Sequence, residues 1–344
     1  MINPGLDEKI YPVVKLATVV DALATEGVAP GDALQGVRLS KDAIASPATR
    51  VSLNQVIECY RNADRLAREP HFAFNAGLRL HVAAYGMYGF AILSSMNYRQ
   101  TMQFAMQYHQ LATPLTAMVF SEKGGYGIWT VTPVANARID TRLYKFIVEM
   151  QFGIILSLQR DVMGPSFAAR QLHVTFGAPT DASRYPQLFG ANVLFGQSEN
   201  RFLFDAAWLD GTPNLGNEMT YATVLGLCDG LMEEFRLRIG LIGKVRQALM
   251  VNLMHAMSFD DVAKSLNMSA RTLRRKLREE NTSFRRLVDE LRMDMAIKYL
   301  RDTDLTVEDI AEALGFSDAA NFRHAFRRWT KAAPHEFRGI AGRA

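Results

Sequence analysis

Ser258-Phe259-Asp260-Asp261-Val262-Ala263-Lys264-Ser265-Leu266-Asn267-Met268-Ser269-Ala270-Arg271-Thr272-Leu273 and Thr306-Val307-Glu308-Asp309-Ile310-Ala311-Glu312-Ala313-Leu314-Gly315-Phe316-Ser317-Asp318-Ala319-Ala320-Asn321-Phe322 follow one pattern twice. Each stretch opens on a hydroxyl residue with an aspartate three positions later, so side-chain oxygens can satisfy the free N–H groups of a new helix. Val262 or Ile310, then Ala263 or Ala311, then Leu266 or Leu314 bury one face of a short helix, and the alanines leave room for a second helix to cross closely. Asn267 and Gly315 fall where the chain must reverse, and both residue types tolerate left-handed backbone. A second helix is expected after Ser269 and after Ser317. The pattern is a helix-turn-helix, present in two copies.

The second helix of each copy has a free face. Leu273 and Leu277 bury one side of the first, and Phe322, Ala325, Phe326 and Trp329 bury one side of the second. This leaves Arg271, Arg274, Arg275 and Arg278 exposed in one copy, and Ala319, Ala320, Arg323, His324 and Arg327 in the other. A guanidinium fork matches guanine O6 and N7 in a major groove, and the N-terminal part of such a helix normally reaches the bases. Arg271, Arg274, Arg275, Arg323 and His324 are therefore the candidates for base edges. Lys276, Arg278, Arg285, Arg286, Arg327 and Arg328 suit phosphates. Between the copies, Phe284, Leu287, Val288, Leu291, Met295 and Tyr299 repeat with helical spacing. A helix over 283–301 would be about 28 Å long at 1.5 Å per residue. That is close to the roughly 34 Å between major-groove segments on one face of B-DNA. One stiff spacer could hold two readers on one duplex.

Charge supports this placement. Residues 244–344 hold 19 of the 39 basic side chains and 14 of the 35 acidic ones, an excess of five positive charges, while the rest of the chain is close to neutral. Such asymmetry points to a C-terminal module that meets a polyanion. The whole chain, at 344 residues, is long enough for about two domains. With 49% apolar and 22% charged residues it is an ordinary globular composition, which excludes disordered and collagen-like classes. The most apolar run, 146–158, is interrupted by Glu149 and Gln151, so it reads as a buried helix and not a membrane span. Asp7 and Glu8 stand where a secretory signal would need an apolar core. Two cysteines are too few for a disulfide framework. A cytoplasmic protein with no membrane partner is expected.

The first two-thirds alternates helix and strand signals. Helical periodicity appears over 13–26, 53–68, 98–111 and 139–163, the last ended by Gly164-Pro165. Strand-forming runs cover 115–121, 126–132, 171–176, 192–195 and 201–205, with a short helix over 181–189. Glu122-Lys123-Gly124-Gly125 separates the first two strands as a hairpin turn, because glycine supplies positive φ. With no regular βαβ rhythm, this predicts an α+β domain with a mainly antiparallel sheet, followed by an all-α domain. The expected division is 1–208, then a linker with a connecting helix over 209–240, then the double helix-turn-helix over 241–344.

The C-terminal hundred residues resemble the DNA-binding domain of the AraC/XylS family of bacterial transcription regulators. Ile310-Ala311, Gly315-Phe316, Asn321-Phe322, Ala325-Phe326-Arg327-Arg328-Trp329 and Pro334-His335-Glu336-Phe337-Arg338 carry the likeness. Phe337 stands where the family usually has Tyr, and Ala319 and Ala320 make the second reading helix less polar than usual. Tyr88-Gly89-Phe90-Ala91-Ile92-Leu93-Ser94-Ser95 and Leu188-Phe189-Gly190-Ala191-Asn192-Val193-Leu194-Phe195-Gly196-Gln197 resemble the effector domain of the ornithine-utilisation and VirS-like branch. The resemblance implies a regulator that binds double-stranded promoter DNA, often as a homodimer, and activates transcription by contacting RNA polymerase.

A small-molecule effector site should be a mostly apolar concavity with a few polar groups. Tyr85, Met87, Tyr88, Phe90, His109, Trp129 and His173 are the candidates, though ordinary core packing is the commoner role for each of them. His109 has no second His or carboxylate one helical turn on, so no metal site is expected, and no cofactor. Gly-x-x-x-x-Gly-Lys, His-Glu-x-x-His and Gly-x-Ser-x-Gly are all absent, which argues against an enzyme. Two further classes stay open from sequence: a regulator controlled by protein contact without an effector, and an architectural binder indifferent to sequence.

Overall fold

The computed structural model describes residues 6–112, 115–238, 240–251, 258–280 and 282–338. The described residues form two compact units: Lys9–Val134 with Asp140–Arg236, and residues 6–8 and Ala135–Ile139 with 237–338.

The larger unit is built around the helix Thr141–Met163, in which 16 of 23 residues are buried, so it is enclosed on nearly every side. Asp140 starts it by accepting the Leu143 N–H at 2.9 Å, and Gly164, at φ 100°, ends it. Beside it lies a five-stranded sheet, in spatial order Thr116–Lys123, Tyr126–Pro133, Arg201–Asp205, Gln171–His173 and Asn192–Leu194. Gly124 and Gly125, at φ 62° and 80°, close the predicted hairpin, with Lys123 facing Tyr126 across the turn. Arg201–Asp205 pairs antiparallel on both edges, and the sole parallel pair among the described strands joins Gln171–His173 to Asn192–Leu194. The sheet is thus mainly antiparallel, as the patterning predicted.

The helices Val14–Thr25, Leu53–Leu66 and Tyr98–Tyr108 form where periodicity placed them, and Glu218–Arg238 is the expected connecting helix. Ser52 opens the second of these with a reciprocal capping box to Gln55. The strand expected over 171–176 is only Gln171–His173, because Asn200 accepts the Thr175 N–H at 3.0 Å through its side chain and takes that backbone out of the ladder. The helices Phe72–Leu78 and Gly86–Ser94 were not foreseen, nor were the shorter Pro30–Ala33 and Lys41–Ala45.

Lys15 lies buried on the helix Val14–Thr25, and burial pulls its pKa down to about 7. The unfolded chain therefore binds a proton that the folded chain lacks between about pH 7 and 10.5, so stability rises with pH across that window. Lys15→Met is expected to stabilise the protein by on the order of 3 kcal/mol at pH 7 and to flatten this dependence. Thermal melts of both proteins at pH 7 and pH 9 check it; parallel curves would contradict it.

The smaller unit is all helix among its described residues. Val245, Leu249, Val262, Ala263, Leu273, Leu277, Leu287 and Leu291 form one core, and Ala296, Ile297, Leu300, Ile310, Ala311, Leu314, Phe322, Phe326 and Phe337 form a second. The helix Phe284–Asp302 supplies Leu287 and Leu291 to the first core and Ala296, Ile297 and Leu300 to the second. A single rod is therefore an integral wall of both cores, which fixes the two helix-turn-helix copies to each other.

Candidate nucleic-acid interface

Each copy assembles from local hydrogen bonds that its sequence encodes. Ser258 Oγ accepts the Asp261 N–H at 3.2 Å while the Asp261 carboxylate accepts from Ser258 N at 3.3 Å. Thr306 and Asp309 repeat this at 3.1 and 2.8 Å. The Ser258 and Thr306 hydroxyls hold the Asp261 and Asp309 carboxyls below the usual carboxylate range. The reversals are also alike: Asn267 at φ 54° and Gly315 at φ 71°, followed by Met268 N–H to Ala263 O and Phe316 N–H to Ala311 O, both at 2.9 Å. This is the left-handed helix ending that glycine and asparagine permit.

The second helices are Ala270–Glu279 and Ala319–Thr330. The first starts after Ser269, which caps Thr272 N at 3.2 Å. The second starts one residue later than expected: Asp318, not Ser317, accepts the Asn321 N–H, at 2.7 Å, since a carboxylate competes well for these donors. Arg271, Arg274, Arg275, Lys276 and Arg278 are exposed while Leu273 and Leu277 are buried. In the second copy Ala320, Arg323, His324, Arg327 and Arg328 are exposed, but Ala319 is half-buried against the second core because its methyl group faces that cluster. Arg285 and Arg286 are exposed at the start of the spacer.

Side-chain pairings separate these cations further than sequence could. Arg274 stacks 5.0 Å over the Phe259 ring, and Arg275 pairs with Glu279 at 2.7 Å. Arg323 reaches Glu308 on the preceding helix at 2.8 Å, Arg286 reaches Glu290 at 3.1 Å, and Arg328 lies 3.6 Å from Asp289. Among the described residues, Arg271, Lys276, Arg278, Arg285 and Arg327 have no ion-pair partner, and their charge is available to an external anion. Two residues escaped the sequence reading. Asn321 is exposed in the first turn of the second reader, where its amide now donates to Ser317 Oγ at 2.9 Å and Asp318 Oδ2 at 2.8 Å and would have to leave them to bond adenine, and Arg292 is held over Phe316 at 5.2 Å. The Asn321 position was visible in the helical spacing; the Arg292 stack was not.

The larger unit contains a cavity with about 570 Å³ of empty space, solvent at its mouth included. Tyr85, Tyr88, His109 and Trp129 line it; Met87 and Phe90, 41% and 50% exposed, do not. His173 bonds Gln171 Oε1 at 2.8 Å and stands apart from it. Sequence reasoning missed Tyr98, Gln151 and Gln159, which also line it. Gln151 and Gln159 are polar residues in the apolar, buried half of the helix Thr141–Met163, and that pattern was the available signal. Among the described residues no group of His, Cys, Asp and Glu could hold a metal, and no helix is long and apolar enough to cross a membrane.

Comparison with known proteins agrees with this geometry. Residues 27–212 match a family model described as the arabinose-binding domain of AraC transcription regulator, and residues 262–340 match a helix-turn-helix domain. The chain is 27% identical over 333 residues to the ornithine utilization regulator of Pseudomonas aeruginosa, covering 96% of each. It is 42% identical over 79 residues to the urease operon transcriptional activator of Escherichia coli, covering 23% of this chain and 27% of that one. The crystal structure of the transcriptional regulator CdpR from Pseudomonas aeruginosa is similar in fold, with TM-score 0.51 at 22% identity, covering 94% of this chain and 98% of that one. The relatives named here are regulators, not enzymes.

Proposed function

The chain belongs to the AraC family of DNA-binding transcription regulators, and from that premise we propose that it reads a bipartite promoter site and activates transcription through RNA polymerase, with occupancy set by a small molecule in the larger unit. The observation that carries the reading is the single helix Phe284–Asp302 built into both helix-turn-helix cores. It supports two readers at one separation, so the two recognise adjacent major-groove segments together. Arg271, Arg274, Arg275, Arg323 and His324 would meet bases, and Lys276, Arg278, Arg285, Arg286, Arg327 and Arg328 phosphates. Ala320 would offer only a methyl contact.

The proposed division is an effector and dimerisation domain over 1–208, a linker over 209–240 and the DNA-binding domain over 241–344. Within the last, residues 252–257, 281 and 339–344 lie outside the described residues. A homodimer is supported by the helix Glu218–Arg238, where Met219, Leu227 and Leu231 are 82%, 52% and 39% exposed. Apolar side chains grouped on one exposed helix mark a contact surface. The same group favours the second reading, in which protein contact and not an effector sets promoter occupancy.

The phosphate assignment is tested by salt. Arg285→Ala is expected to weaken specific and random duplexes alike, by roughly fivefold, and to lower the slope of log K against log salt by about one. Binding isotherms at four salt concentrations measure this. A loss confined to the specific duplex would move Arg285 to the base-reading set.

A further inference from the structure

The cavity of the larger unit lies between the helices Gly86–Ser94, Tyr98–Tyr108 and Thr141–Met163 and the hairpin strands Thr116–Lys123 and Tyr126–Pro133. Ile92, Met102, Ile154, Ile155, Leu158 and Val162 make most of its wall, and none of its lining residues is Asp, Glu, Lys or Arg. Four lining residues nevertheless carry a buried polar atom with no hydrogen-bond partner among the described residues: Tyr85 Oη, Tyr98 Oη, His109 Nε2 and Gln159 Oε1. Tyr98 is 0% exposed and Gln159 4%. A buried polar atom left unpaired is costly, and native proteins keep few of them, so four around one cavity call for an occupant.

The chemistry of those atoms is asymmetric. Burial pushes the Tyr85 and Tyr98 hydroxyls up, so both stay protonated and can donate. His109 Nδ1 lies 2.9 Å from the Met106 carbonyl, which only accepts, so Nδ1 carries a proton, and in that tautomer Nε2 is the acceptor. Gln159 Oε1 is an acceptor outright. Two other polar lining residues are already engaged: Gln151 Oε1 accepts from Thr116 at 3.2 Å, and Thr101 is bonded to Ser95.

We propose that this cavity binds a neutral molecule with an apolar body and one group that both donates and accepts, a hydroxyl or primary amide on a ring or short hydrocarbon. The proposal rests on the reading of the larger unit as a small-molecule sensor and narrows it to a class. A carboxylate, an amine or an amino acid would leave water with no Asp, Glu, Lys or Arg in the wall to pair with it, which is strongly unfavourable. A sugar carries a hydroxyl on nearly every carbon, and most would lie against Ile92, Met102, Ile154 and Ile155 unpaired. The tyrosine hydroxyls instead donate to the ligand oxygen while Gln159 or His109 takes its proton donor.

The test uses the full chain in thermal melts with six probes at millimolar concentration: benzyl alcohol and benzamide, against benzoate, benzylamine, arabinose and ornithine. The two neutral probes are expected to raise the melting temperature by roughly 3 °C or more, and the other four to leave it unchanged. Ala105→Phe, which fills the cavity, should abolish the shift. Tyr98→Phe and Gln159→Leu, which keep the shape, should each weaken neutral-probe binding about tenfold, and they carry the test if the filled variant does not fold. An equal or larger shift with benzoate, benzylamine, arabinose or ornithine overturns the class while leaving the sensor reading intact. No shift with any of the six overturns both. Neutral-probe affinity unchanged in Tyr98→Phe and Gln159→Leu overturns the site.

Discussion

Gly153→Ala is expected to destabilise the protein by more than about 3 kcal/mol, although alanine is the better helix former by about 1 kcal/mol. A Cβ on Gly153 would stand 2.3 Å from the Phe74 carbonyl oxygen and 3.1 Å from the Gly77 Cα. On the facing helix, a Cβ on Gly77 would stand 2.3 Å from the Met150 oxygen and 2.9 Å from the Ile154 nitrogen. All of these are backbone atoms, so no side chain can swing aside. The helices Phe72–Leu78 and Thr141–Met163 would have to separate, loosening Phe74 and Met150, which are each 1% exposed, and Phe72, which is 6% exposed. Gly226 is the control: it lies in the helix Glu218–Arg238, and a Cβ there would have nothing within 4 Å. Gly226→Ala should stabilise by about 0.5–1 kcal/mol through propensity and unfolded-state entropy alone. Urea unfolding of the two variants beside the parent decides the matter, and equal effects would remove the close-approach argument.

That crossing also shows where sequence reading stops. Phe72–Leu78 was not foreseen because Gly77 lowers its helix propensity and the segment is only seven residues long; packing on Thr141–Met163 makes it a helix. Gly86–Ser94 holds two glycines, and a Cβ on Gly89 would stand 2.1 Å from the Val82 oxygen, so it too owes its form to contacts distant from its own propensity. By contrast the helix-turn-helix copies were legible to within one residue, because Ser258–Asp261, Thr306–Asp309, Asn267 and Gly315 act within a few positions of themselves. The candidate DNA face divides the same way. Its exposed arginines followed from helical spacing, and Arg275 with Glu279 one turn on was readable. Arg323 with Glu308, fifteen positions back, depends on how the two helices cross. The cavity was half legible: aromatic residues marked the neighbourhood, while the unpaired atoms of Tyr98 and Gln159 depend on which strands and helices meet there.

The unequal freedom of the readers leads to the second large effect. Arg271→Ala is expected to reduce affinity for a specific promoter by about 10- to 100-fold, a loss of roughly 1–3 kcal/mol, and to relax base preference at one or two positions. Arg271 sits in the first turn of its helix, exposed and without an ion-pair partner among the described residues, so all of its binding energy is available to a base. Arg323→Ala should cost less, about threefold, because the free protein already engages that guanidinium with Glu308 and DNA must displace the pair. Glu308→Gln should then tighten binding modestly, since it frees Arg323 and removes a negative charge beside the phosphates. Selection from duplexes randomised over two segments about one helical turn apart tests all three, because a spacer of 19 residues is about 28 Å long and the proposed bipartite reading needs close to that separation. Arg271→Ala must relax one segment and Arg323→Ala the other. If both relax the same segment, or if specific and random duplexes weaken alike, two helices on one rod do not read two grooves, and the architectural alternative takes their place.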